Sequence, residues 1–249
     1  MRVHVPGCDP LTVLSGVLFL VFLVISQAGG VEAFPWPYIH LGLSWGGLSQ
    51  GELWQLGSHA LVHGNWLHLW LNLIMLWLVG GRVAHIVGWQ KWVQIVVLGV
   101  FVGGLLHAVT GAVLVFSGNE EPYLVGVSGA CFALLVALTT LLPESRMWPV
   151  PVSGKNLGIG MMAAELLLWL MQPELGLPGL SQMGGVMDAL GGGGLFEISH
   201  ACHLGGAVAG WWCARQLLVT PPTLAELKKQ RADRERQLSH GAHDVNDSR

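Results

Sequence analysis

Six apolar stretches, parted by segments that divide cleanly into basic and basic-free sets, constrain this chain more than any other feature. The stretches lie at about 11–28, 59–79, 92–116, 126–142, 157–172 and 198–219. Crossing a bilayer takes about 20 mostly apolar residues, and the fifth stretch is the shortest of the six. Only 11% of the 249 residues are charged, against about 25% in an ordinary soluble domain. A water-soluble fold is therefore excluded, and the expectation is an all-α polytopic membrane protein with six transmembrane helices.

The basic residues test that count independently. Arg2, Arg82, Lys91, Arg146, Lys155, Arg215, Lys228, Lys229, Arg231, Arg234, Arg236 and Arg249 are the full set of Lys and Arg. With six spans, all of them fall at the N-terminus, in the second and fourth loops, or at the C-terminal end, which share one side. The opposite loops, 29–58, 117–125 and 173–197, hold Glu32, Glu52, Glu120, Glu121, Glu174, Asp188 and Glu197 and no basic residue. Five or seven spans would destroy this segregation. Because cytoplasmic loops collect Lys and Arg, both termini are expected in the cytoplasm. The short ends point to a bacterial inner membrane.

Arg2 before an apolar run resembles a secretory leader, but Asp9 and Pro10 spoil the charged region, so the first stretch is read as a retained span. Cys8, Cys131, Cys202 and Cys213 show no C-x-x-C spacing and read as small core residues. Tryptophans 36, 45 and 54 place the 29–58 loop at a membrane interface. The 173–197 loop, with Gly191–Gly194, reads as flexible and able to gate access. Residues 1–219 then form the membrane core. Residues 220–249 form a polar cytoplasmic tail, in which Thr223 and Glu226 have capping-box spacing and Lys228, Lys229, Arg231, Arg234 and Arg236 face either solvent or anionic lipid.

Within this apolar frame a few polar residues stand out, since such groups are costly at bilayer depth and usually functional. Ser128 lies in Gly126-Val127-Ser128-Gly129, where glycine permits a sharp turn into the helix. His203 is followed by Gly206 and Gly210, which put a close-packing face and an imidazole on one stripe. A serine hydroxyl needs an adjacent base, and imidazole suits that role. With no carboxylate evident near either residue, a dyad is expected rather than a triad. His200 is a rival base nearer the outer end of its span. His68 and Asn72, four apart, can both donate to one point, as an oxyanion requires. The structural alternatives are a bond from Ser128 to its own backbone and helix-to-helix hydrogen bonds from His68 and Asn72.

His59 and His63 also have i, i+4 spacing, but lack the Glu of H-E-x-x-H and a third ligand. They read as a tie between outer loop and helix, and no metal site is expected. Glu165 and His107 read as structural groups bonded to neighbours or water.

Taken together, Trp54, the His59/His63/His68/Asn72 series, Gly80-Gly81, the Ser128 motif, and His203 with Gly206 and Gly210 resemble the rhomboid proteases over about residues 45–219. The resemblance implies a six-helix intramembrane serine endopeptidase with Ser128 as nucleophile and His203 as base. It implies an oxyanion hole of His68, Asn72 and the Ser128 backbone N–H. Gly126, Gly129, Phe132, His63, Gly206 and Gly210 would support that motif. Substrates would be transmembrane proteins unwound locally in the bilayer, cleaved in a wet cavity opening to the outer face, with no cofactor, metal or nucleic acid involved. Three positions depart from the family pattern. Gln55 replaces a common Arg after Trp54, Ala84 replaces a common Glu after the paired glycines, and Phe132 replaces a common Tyr. The alternatives are a non-catalytic relative that binds or chaperones membrane helices, and a transporter or proton relay, although no repeated halves are visible.

Overall fold

A computed structural model describes residues 9–147 and 151–219. Six long helices carry the architecture: α1 (Pro10–Gln27), α2 (Trp66–Val87), α3 (Trp89–Phe116), α4 (Ser128–Leu141), α5 (Gly154–Leu170) and α6 (His200–Val219). Of these, α1, α2 and α3 are both long and apolar enough to cross a membrane unaided by other criteria. Extended pairing among the described residues is confined to two isolated bridges, Leu43 with Leu124 and Arg146 with Ser153. One compact unit runs to Ala214; beyond it, the described residues are the last turn of α6, Arg215–Val219. Cys8 and the expected 220–249 tail with its Thr223/Glu226 pair lie outside the described residues.

The helices are built for an apolar solvent. On α1 the buried residues Leu11, Ser15, Leu18, Phe22 and Ile25 recur every three or four positions, one inward stripe of a helix. Its outer face stays apolar: Val13, Leu20 and Val24 are more than half exposed. Exposed apolar surface on this scale marks contact with lipid or a partner rather than water. Asp9 starts the helix, accepting from Thr12 N–H at 2.9 Å, with Pro10 in the first helical position, a favoured start because proline has no N–H to satisfy. Asp9→Ala is expected to cost about 1 kcal/mol, read as a lower thermal midpoint in detergent.

The second helix begins later than the apolar pattern suggests. His59–Leu61 form a 3₁₀ turn, residues 62–64 are irregular, and Asn65 caps α2 by accepting from His68 N–H at 2.8 Å. The helix then passes through a π turn at Leu76–Gly80 and ends at Val87. The 59–79 span is thus shifted to Trp66–Val87, and His59 and His63 do not share a helix face. The 29–58 segment folds into short helical pieces over Gly30–Ala33, Trp36–Leu41, Trp45–Ser49 and Gln55–Ser58. The 173–197 connection likewise holds a helix, Leu180–Met187, between shorter turns.

Three helices meet at the centre with almost no side chain between them. On α3, Trp92, Ile95, Gly99, Gly103, His107, Gly111 and Leu114 form the buried stripe. A Cβ at Gly99 would lie 2.9 Å from Ala130 Cα, and one at Gly103 would lie 2.7 Å from the Cys202 carbonyl oxygen. Across the other contact, Gly206 faces Gly129 and Gly210 faces Ala133. Both members of that series advance by four, so α4 and α6 run parallel, and their first turns, which carry Ser128 and His203, lie side by side.

Candidate active site

The chain reaches Ser128 through a turn that only glycine adopts easily. Gly126 has φ of 105°, in the left-handed region, and a Cβ there would sit 2.6 Å from the His68 ring. The turn is held from outside by the Gly126 N–H donating to the His59 carbonyl at 2.9 Å and by the paired backbone of Leu43 and Leu124. Ser128 is the first residue of α4, so the N–H groups around it belong to the turn that lacks intrahelical partners.

His203 arrives from the first turn of α6, which is capped by Ser199: its hydroxyl accepts from Cys202 N–H at 3.2 Å. The His203 Nε2 lies 3.0 Å from Ser128 Oγ across 75 residues of sequence. Phe132, one turn beyond the serine, stacks on the imidazole with centroids 4.1 Å apart and planes 12° from parallel. The stack fixes the ring plane without needing the hydroxyl a tyrosine would bring. His203 and Ser128 together line a cavity of about 600 Å³ that also includes His68, Asn72, Phe132 and His200.

His68 and Asn72 face this cavity from one side of α2. Asn72 Nδ2 donates to the His68 carbonyl at 3.0 Å, leaving its second N–H available, and its Oδ1 lies 3.5 Å from the Cys131 thiol. Behind them His63 is fully buried, edge-on to His68 with centroids 5.1 Å apart, and its carbonyl accepts from the Tyr38 hydroxyl at 3.2 Å. His59 Nδ1 is 2.9 Å from the Gln55 carbonyl. Gln55 itself is wholly buried and satisfied within the 29–58 segment, its Oε1 accepting from Ser44 N–H and its Nε2 reaching Glu52 Oε2 at 2.5 Å. His107 braces the site from α3: one ring nitrogen lies 2.8 Å from Ser199 Oγ and the other 3.1 Å from the Pro122 carbonyl.

The sequence shows no carboxylate near Ser128 or His203, but the fold brings one close: Glu165 on α5 places Oε2 2.6 Å from His200 Nδ1 and 3.3 Å from His203 Nδ1. Position in sequence hid it, since 38 residues separate it from His203, but a lone acidic residue at bilayer depth was the available signal. His200, the rival base, has its second nitrogen 2.8 Å from the Leu195 carbonyl, so both its nitrogens are directed away from Ser128.

Glu165, His200 and His203 also offer three ligand atoms within 4.8 Å of one another, the one grouping that could hold a metal among the described residues. Ligand atoms about 2.0–2.1 Å from a tetrahedral zinc stand roughly 3.3 Å apart. The 2.6 Å Glu165–His200 contact is closer than that and matches a charge-assisted hydrogen bond.

Residues 50–219 match the Rhomboid domain family. The chain belongs to the rhomboid family. This rhomboid is accordingly an integral membrane protein of polytopic helical fold. It is similar to the rhomboid protease GlpG of Enterobacter sp. (strain 638), 29% identical over 171 residues, or 68% of this chain and 54% of that one. The same protein of Pectobacterium atrosepticum is 27% identical over 207 residues, covering 81% and 60%. That of Photorhabdus laumondii is 28% identical over 203 residues, covering 81% and 59%. This rhomboid therefore spans little more than half the length of these relatives.

Proposed function

We propose that this rhomboid is a serine endopeptidase that cleaves transmembrane segments of membrane proteins by a Ser128–His203 pair. The 3.0 Å contact between Ser128 Oγ and His203 Nε2 at the cavity wall carries the reading, because it couples a nucleophile to its base. His203 Nε2 takes the Ser128 proton as Oγ attacks the scissile carbonyl carbon. His68, the free Asn72 N–H and the Ser128 backbone N–H stabilise the resulting oxyanion. His203 then gives its proton to the departing amine, leaving an acyl-serine. Water, deprotonated by the same nitrogen, attacks that ester and releases the carboxyl product and the serine.

A peptide bond inside a helix is shielded by its own hydrogen bonds, so the substrate must unwind locally to present a carbonyl. The cavity of about 600 Å³ beside Ser128 gives room for such an unwound segment. Six crossings with both termini in the cytoplasm of a bacterial inner membrane fit the segregation of basic residues and the parallel course of α4 and α6.

The test is labelling with a fluorophosphonate, which esterifies an activated serine. Wild type and His200→Ala are expected to label, whereas Ser128→Ala and His203→Ala are not. Labelling of the Ser128→Ala variant would overturn the nucleophile assignment, and labelling that needs His200 but not His203 would reassign the base.

A further inference from the structure

Two buried groups behind His203, Glu165 and His200, have no part in the two-residue chemistry described above. Three groups from two helices converge there: Glu165 from α5, and His200 and His203 from α6. Glu165 and His200 are both buried, and Oε2 of Glu165 reaches both imidazoles through their Nδ1 atoms. A carboxylate in an apolar span is costly unless its charge is compensated and hydrogen-bonded, so the fold must gain something from it or tie it off completely.

Proton bookkeeping decides what it does. Both nitrogens of His200 face oxygen acceptors, the Leu195 carbonyl at 2.8 Å and Glu165 Oε2 at 2.6 Å. If Nε2–H donates to the carbonyl, one further proton must lie on the line between His200 Nδ1 and Glu165 Oε2. The Glu165–His200 pair is then neutral as a whole, which lowers the cost of holding the carboxylate at this depth. Oε2 keeps a lone pair directed toward His203. For His203 to accept the Ser128 proton at Nε2, its own ring proton must sit on Nδ1, and the polar atom nearest that nitrogen is Glu165 Oε2 at 3.3 Å. The contact is long and not well aligned, so His203 Nδ1 makes no formed hydrogen bond in this state. A shift of a few tenths of an ångström as imidazolium develops on His203 would close it.

Resting on the Ser128–His203 reading, we infer that Glu165 is a positioning residue that holds His203 in the Nδ1–H tautomer and stabilises its imidazolium, with His200 and the Leu195 carbonyl holding the carboxylate in place. The site is thus a serine–histidine–glutamate relay of contacts rather than an isolated pair. The proton taken from Ser128 stays on His203 Nε2 until the leaving amine takes it; Glu165 receives no proton from the reaction.

The experiment compares wild type, Glu165→Gln, Ser128→Ala and His203→Ala, as full chains in detergent, by fluorophosphonate labelling rate and by kcat and KM on a fluorogenic transmembrane substrate. Glutamine preserves shape but directs an N–H toward His203 Nδ1, favouring the wrong tautomer. The analogous change in a fully aligned triad costs about 10⁴-fold; here, at a longer contact, Glu165→Gln is expected to lower kcat and labelling about 10- to 100-fold, with KM and thermal midpoint little changed. Ring ¹⁵N NMR of wild type gives an answer independent of any variant's folding: His203 is expected to be protonated on Nδ1 and bare on Nε2. Wild-type labelling rates in Glu165→Gln, or an Nε2–H tautomer in wild type, would overturn the inference. So would activity lost to a chelator and restored by Zn²⁺, since the three residues would then be ligands. Labelling of Ser128→Ala would instead sink the underlying reading, so the two failures are distinguishable.

Discussion

His203→Ala is expected to abolish measurable cleavage of a transmembrane substrate while leaving the helical fold intact. The imidazole is both the acceptor of the Ser128 proton and its donor to the leaving amine, so both halves of the reaction lose their proton carrier. In serine hydrolases that work this way, losing the nucleophile or the base costs about 10⁶-fold in kcat, and losing both costs scarcely more. Ser128→Ala and the double variant Ser128→Ala/His203→Ala should therefore fall to the same floor as His203→Ala. That non-additivity is the signature of one unit, and it is measured by comparing the three residual rates. If the double variant were slower than wild type by the product of the two separate losses, the two side chains would be acting independently. The fold should tolerate the change, because His203 is held by stacking on Phe132 and by a capped helix rather than by its own hydrogen bonds to the core. Circular dichroism and the thermal midpoint in detergent are expected to stay close to wild type.

How much of this arrangement was legible beforehand depended on whether a feature was local in sequence. The apolar runs located all six long helices to within a few residues at most ends, because a long apolar stretch is read from composition alone. The start of α1 was written in Asp9-Pro10, a cap and a pre-set first residue. The start of α2 was misjudged by seven residues, since Ala60, Leu61 and Val62 continue the apolar pattern. Asn65 supplies the true start by capping the helix, and the same local chemistry frees His59 to hold the turn at Gly126. Ser128, His203, His68 and Asn72 were visible as polar residues where polarity is expensive, and the structure brings all four to one cavity. Glu165 was equally visible, yet its partner could not be read: the contact with His203 is set by how α5 packs beside α6, and no spacing rule reaches across 38 residues. His107 is a similar case, its links to Ser199 and Pro122 following from tertiary packing alone.

The other large effect concerns a residue with no side chain. Gly206→Ala is expected to lower activity by at least about 100-fold, since a misplacement near 1 Å at a reacting pair costs on that order. A Cβ at Gly206 would overlap the carbonyl oxygen of Gly129, and one at Gly210 would overlap that of Ala133. Neither neighbour is a side chain that could swing away. The backbones of α4 and α6 must separate instead, and overpacking of this kind costs about 1–3 kcal/mol, occasionally more. Both alanine variants should therefore lose stability, seen as lower thermal midpoints, but their activities should differ. Gly206 opposes the residue next to Ser128, so separation there lengthens the 3.0 Å contact with His203 directly. Gly210 acts one turn further along, where the helices can splay while leaving their first turns closer together. Gly160 supplies the control: it lies within α5 and a Cβ there meets nothing within 4 Å. Gly160→Ala should keep full activity and gain about 0.5–1 kcal/mol from the better helix former. If Gly206→Ala instead kept wild-type cleavage rates, the serine and histidine would not depend on this backbone contact for their alignment, and the helix packing assigned to the centre of the fold would be wrong.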